Sequence, residues 1–88
     1  MAHLLVRHKV KDFGSWKRVF DAHRPARKEA GLRDLYLWHD TDEANTITLL
    51  FDAADLAKAR KFASSDDLRT KMREAGVVGA PDIFFLEG

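Results

Sequence analysis

The segments of this chain that read as strands are apolar on both faces. Leu4, Val6 and Val10 alternate with Leu5, and Leu35 and Leu37 alternate with Tyr36 and Trp38. Ile47, Leu49 and Phe51 alternate with Leu50, and Ile83 and Phe85 with Phe84 and Leu86. A sheet with one solvated face reads apolar-in and polar-out. A chain of 88 residues has helix enough to cover one face only. The second face is therefore expected to meet another copy of the protein.

Periodicity orders the elements. Residues 3–10 read as a strand. Asp12 is placed to cap a helix whose stripe is Phe13, Trp16, Val19, Phe20 and His23. Pro25 fits only the first turn of a restarted helix, which Gly31 closes. Strands over 32–40 and 46–53 flank the polar turn 41–45. Asp55 starts a second helix carrying Leu56, Ala59, Phe62 and Ala63. Ser64, with Asp67 three residues on, reads as a capping box opening a further short helix. Residues 77–81 read as a connection and 82–87 as the last strand. The order β-α-β-β-α-β predicts one α+β domain over residues 1–88. Its four-stranded antiparallel sheet is ferredoxin-like, of order 4-1-3-2, with all helices on one face.

Composition narrows the function classes. At 45% hydrophobic and 33% charged residues the chain is that of a folded domain. A domain this small buries roughly 60–65% of its unfolded surface, so association would stabilise it. There is no cysteine, which removes disulfides, thiolate nucleophiles and Cys-based metal sites. The charged N-terminal stretch has no signal-peptide pattern, and no apolar run reaches the ~20 residues of a membrane span. A cytoplasmic location with no membrane partner is expected. Residues 1–39 carry nine basic and four acidic groups, residues 40–88 six and ten. That asymmetry reads as a solvated basic helix face, too weak and without a reading element for nucleic acid.

Parity divides the sheet. Leu4, Val6, Val10, Leu35, Leu37, Ile47, Leu49, Phe51, Ile83 and Phe85 are expected to face the helices. The other face carries His3, Leu5, Arg7, Lys9, Tyr36, Trp38, Asp40, Thr48, Leu50, Asp52, Phe84 and Leu86, a mixture suited to an interface or a ligand pocket. His3 and His8 point to opposite faces, and His8 and His39, both on the helix side, sit about 10 Å apart. No metal-ligand spacing is present, and no metal or other cofactor is expected. Arg7, projecting from a central strand, needs Asp40 or Asp52 as an ion-pair partner, or else holds an anionic or carbonyl-bearing ligand. His23 reads as a half-buried histidine with one partner, or as a proton-transfer group over a cleft, and His39 is similar. Trp16 and Trp38 read as core and interface anchors and as candidate ligand contacts.

The element order, the length and the segments DFGSWKRVFDAHRPARKEAGLRDLYLW and FASSDDLRTKMREAGVVGAPDIFFLE resemble the dimeric α/β-barrel superfamily, which includes the antibiotic-biosynthesis monooxygenases. The resemblance covers the whole chain and rests on fold and pattern. It implies a homodimeric barrel of two face-to-face sheets and a small aromatic or polyketide-like ligand. The implied chemistry is a cofactor-independent oxygenation, in which the protein assists deprotonation of a phenol that itself activates oxygen. The Asn/Trp/His set of the haem-degrading members has no match. The expected pocket is lined by Tyr36, Trp38, Leu50, Phe84 and Trp16, with Arg7, His23 and His39 as catalytic groups. The alternative is a non-enzymatic dimerisation or protein-interaction module whose barrel is filled by its own side chains.

Overall fold

A computed structural model describes residues 1–88. Strand β1 (Ala2–Val10) is followed by helices α1 (Phe13–Ala22) and α2 (Arg24–Glu29), then β2 (Leu32–His39) and β3 (Thr46–Ala53). Helices α3 (Leu56–Ala63) and α4 (Asp66–Glu74) lead into β4 (Val77–Glu87). All pairings are antiparallel in the order β2-β3-β1-β4. This is the ferredoxin-like arrangement expected from the periodicity. No helix is long and apolar enough to cross a membrane.

The helix boundaries follow from local chemistry. Asp12 and Asp55 accept the backbone N–H groups of Ser15 and Lys58, which the first turns of α1 and α3 leave without partners. Pro25 lies in the first turn of α2, where its missing N–H costs nothing. Gly31, at φ +77°, makes the left-handed turn out of α2. The expected Ser64 capping box is corrected: Ser64 closes α3, donating to the Arg60 carbonyl at 3.1 Å. Ser65 caps α4 instead, accepting from Leu68 N at 3.2 Å. Asp67, the residue that would have completed the box, turns to His23.

Two irregularities in the sheet decide which side chains face the helices. In β2, Asp34 pairs with Phe51 but Tyr36 pairs with Leu50, so Leu35 is an extra, unpaired residue. This bulge reverses parity. Leu32 and Asp34 before it, and Leu37 after it, share the helix side. Leu35, expected on that side, is half-buried and outside the packed core. The second irregularity corrects the expected connection over 77–81, which is strand. β4 begins at Val77 opposite Val10 and carries its extra residues between Val78 and Asp82, around Gly79 at φ +72° and Pro81. β4 is an edge strand, where a proline deprives no neighbour of a hydrogen bond.

Between sheet and helices lies the core: Leu4, Val6, Val10, Trp16, Leu32, Ile47, Leu49 and Phe51, with Ala30, Ala53, Ala59 and Ala75 where helices approach closely. Phe20, Phe62, Ile83 and Phe85 pack against it. Leu56 stays half-buried outside that set. The other face of the sheet is uncovered. Tyr36, Trp38, Val78, Phe84 and Leu86 are 45–57% exposed, and strand parity puts all five on that face.

Candidate functional site

The eight side chains expected to form one site are divided by the sheet. Arg7, Tyr36, Trp38, Leu50 and Phe84 are on the uncovered face, and Trp16 and His23 are on the helix side. His39 is exposed at the end of β2, its Nδ1 3.1 Å from the Asp40 carbonyl and its ring edge-on to Phe13. Tyr36 and Trp38 stack with ring centroids 4.8 Å apart, but no wall stands opposite them within the chain.

Arg7 resolves to one of its two expected partners. Its Nη1 and Nη2 donate to Asp40 Oδ1 and Oδ2 at 2.9 and 2.8 Å, and Nη1 also donates to Thr48 Oγ1 at 3.0 Å. These hydrogen bonds, and secondarily the opposite charge, hold the Asp40 carboxyl below the usual carboxylate range. Asp52 belongs to another pair: its buried carboxylate lies between Arg33 and His3 Nδ1, the latter at 3.1 Å.

A partly open cavity lies on the opposite side of the sheet, under the helices. Its volume is about 70 Å³ and fourteen of its eighteen lining residues are hydrophobic, among them Trp16, Phe20, Leu49, Phe51 and Phe62. One water needs about 10–15 Å³ on this measure, and a benzene-sized cavity is about 150 Å³. An aromatic ring therefore enters only if the lining yields. The side able to yield is α4, which has no buried residue and contributes Leu68, Lys71 and Met72 to the wall. Met72 is also the most adaptable apolar side chain available.

The four lining residues that are not hydrophobic are His8, His23, Arg27 and Lys71. His8 is 6% exposed, and its Nδ1 has no hydrogen-bond partner. The edge of its ring meets Trp16, centroids 5.6 Å apart. Burial lowers its pKa, opposed by its own backbone, so at neutral pH it is an uncharged imidazole able to accept a hydrogen bond. The extra residues of β4 fall beside it, between the partners of Arg7 and Lys9. His8 was legible in the sequence, since it shares parity with Leu4, Val6 and Val10; what spacing could not reveal is that it lacks a partner. His23, at the α1–α2 junction, has Nε2 3.3 Å from Asp67 Oδ2 and stacks on Phe62. That contact ties the α1–α2 pair to the first turn of α4. Trp16 is 3% exposed and stacks on Phe20 at 4.8 Å. No group of three His, Asp or Glu side chains converges.

No protein-family model matches the chain, and no curated protein matches it in sequence. Solved structures do. A candidate antibiotic biosynthesis monooxygenase of Bordetella bronchiseptica superposes with a TM-score of 0.79 at 14% identity, covering 99% of this chain and 95% of that one. Another, from Caulobacter crescentus, gives 0.75 at 18% identity over 99% and 88%. A variant of SnoaB, a cofactor-independent oxygenase of Streptomyces nogalater, gives 0.74 at 13% identity over 99% and 91%. The chain shares the fold of the antibiotic-biosynthesis-monooxygenase-like proteins.

Proposed function

We propose that the cavity under the helices binds a small aromatic compound through a hydroxyl group that donates a hydrogen bond to the neutral His8, which takes the proton only as the ring is oxidised. The observation that carries this reading is His8 in the wall of a mainly apolar chamber with its Nδ1 buried and unpartnered. A buried polar atom without a partner costs about 1–3 kcal/mol. A ligand hydroxyl against it would remove that cost, while Trp16, Phe20 and Phe51 supply aromatic surface for the ring. His23, oriented by Asp67, is the second proton-transfer group. The oxygenase named among the solved structures extends the reading to chemistry without a cofactor. A phenolate is electron-rich enough to reduce dioxygen itself: the ring carbon gains one oxygen atom, and the other leaves as water with the two hydrogens the substrate loses.

The uncovered face has a separate role in this reading, as the contact with a second copy. Tyr36, Trp38, Leu50 and Phe84 then act in assembly, and the expected pocket moves through the sheet to the helix side. Dimer contact and ligand cavity do not compete for side chains.

The test uses Trp16 as reporter in a Trp38→Phe background, titrated with 4-ethylphenol and ethylbenzene. The phenol is expected to change the Trp16 emission saturably and to bind roughly tenfold more tightly, the value of about one hydrogen bond. His8→Leu should erase that preference. An absence of saturable binding by both compounds would overturn the cavity reading. Binding without oxygen uptake across a set of electron-rich phenols would remove the oxygenase and leave the binding protein.

A further inference from the structure

Every lining residue of the cavity that is not hydrophobic is a nitrogen base, and none is an acid or a hydroxyl. These bases lie at two poles. His8 sits on β1 opposite Ile47. Arg27 is held by Asp34, which pairs with Phe51, itself paired with Leu4. Leu4 and His8 are four residues apart on one strand, so the poles are separated by about 13 Å along the sheet. Both side chains line the cavity, so a ligand meeting both needs two polar ends joined by a ring and a short arm.

Arg27 is 4% exposed, yet it is not fully used. Of the five N–H groups of a guanidinium, Nε and one on Nη2 go to Asp34 at 3.0 and 3.1 Å, and one on Nη1 goes to the Phe20 carbonyl at 2.6 Å. Two remain without a protein acceptor. The guanidinium carbon lies over the Phe20 ring, 3.7 Å from its centroid, and with the hydrogen bonds to Asp34 and Phe20 this fixes its position. Its charge is also incompletely balanced, because the Asp34 carboxylate is shared with Arg24 at 3.7 Å. His23 belongs to the same end of the cavity, one helical turn before Arg27.

We infer that the ligand is bipolar: a small hydroxyaryl carboxylate whose acid group is anchored by the free N–H groups of Arg27 while its ring hydroxyl meets His8. This deepens the cavity reading proposed above and rests on it. Arg27 is then a specificity-determining residue, selecting the anion over a neutral ligand of equal shape. A carboxylate in an apolar chamber is favoured only if a cation meets it, and a neutral amide leaves the Arg27 excess uncompensated.

The experiment compares 4-hydroxyphenylacetate, 4-hydroxyphenylacetamide, phenylacetate and 4-ethylphenol on the Trp38→Phe protein by Trp16 fluorescence. The hydroxy acid is expected to bind at least tenfold more tightly than its amide and than phenylacetate. In Arg27→Gln the acid-to-amide ratio should fall to about one; should that variant not fold, the ratio in the unchanged Arg27 protein decides alone. Equal or tighter binding of the amide overturns the anion inference, and with 4-ethylphenol still bound the cavity reading survives it. No binding by any of the four overturns both.

Discussion

Asp34→Ala is expected to destabilise the fold by about 3 kcal/mol, whereas Asp40→Ala changes the stability of the isolated subunit far less. Both residues make two-pronged hydrogen bonds to an arginine, so a count of ion pairs would predict equal effects. Burial separates them. Arg27 is 4% exposed and cannot regain water when its carboxylate is removed; stranding a buried charge costs about 3–5 kcal/mol. The lower end applies because the Asp34 side chain is itself 29% exposed. Within one copy Arg7 and Asp40 are 44% and 39% exposed, so at concentrations where the subunits are dissociated water replaces either partner. Urea denaturation of the two variants, with unchanged m-values, measures the contrast. Equal losses would mean that the uncovered face already screens Arg7 from solvent, or that Arg27 is better hydrated than its position implies.

Trp38→Glu should convert a dimer into a folded monomer. Trp38 stacks on Tyr36 on the edge strand β2, and these two with Val78, Phe84 and Leu86 on the opposite edge strand β4 are the large side chains, between 45% and 57% exposed, of the uncovered face. Burying a large side chain of this kind contributes about 1.5–3 kcal/mol. The substituted carboxylate adds a desolvation cost of similar size, since Arg7, the cation beside it, is already engaged by Asp40. Together they raise the dimer dissociation constant by about a thousandfold, equivalent to about 4 kcal/mol. Sedimentation velocity reads the change. The monomer should still bind 4-ethylphenol, because no cavity-lining residue is altered. A monomer of the unsubstituted protein at micromolar concentration would remove the dimer from the account, and a dimer surviving Trp38→Glu would move its contact elsewhere.

The architecture was legible because β1 and β3 alternate without interruption, and because Asp12, Asp55, Pro25 and Gly31 punctuate the helices by their own chemistry. The misreadings sit where the period breaks. In β2 strict alternation would separate Leu32 from Leu37, and only the bulge at Leu35 reunites them; the pull of Arg27 on Asp34 has no sequence signature. Gly79 and Pro81 looked like a connection because both weaken central strands, but β4 is an edge. The candidate site residues divide between the two faces of the sheet for a related reason. An aromatic-rich face suggests a pocket, but a pocket needs an opposing wall, and within the chain only the helix layer provides one. Trp16 and His23 lie on the helix side because the α1 stripe faces the sheet. Arg27 was hidden by its neighbours Arg24 and Lys28, which made it look like one more solvated base.

The most direct test of the central claim is a titration of the four histidines by nitrogen-detected imidazole NMR, with and without 4-ethylphenol. Because burial lowers the His8 pKa, the folded chain refuses a proton that the unfolded chain accepts at its ordinary value of about 6.5. His8 should therefore remain neutral below that pH, and stability should decline as the pH falls through it. The phenol should shift the His8 nitrogens and leave those of His3 and His39, outside the cavity, unmoved. A His8 that titrates at its ordinary value and ignores the phenol would contradict the account.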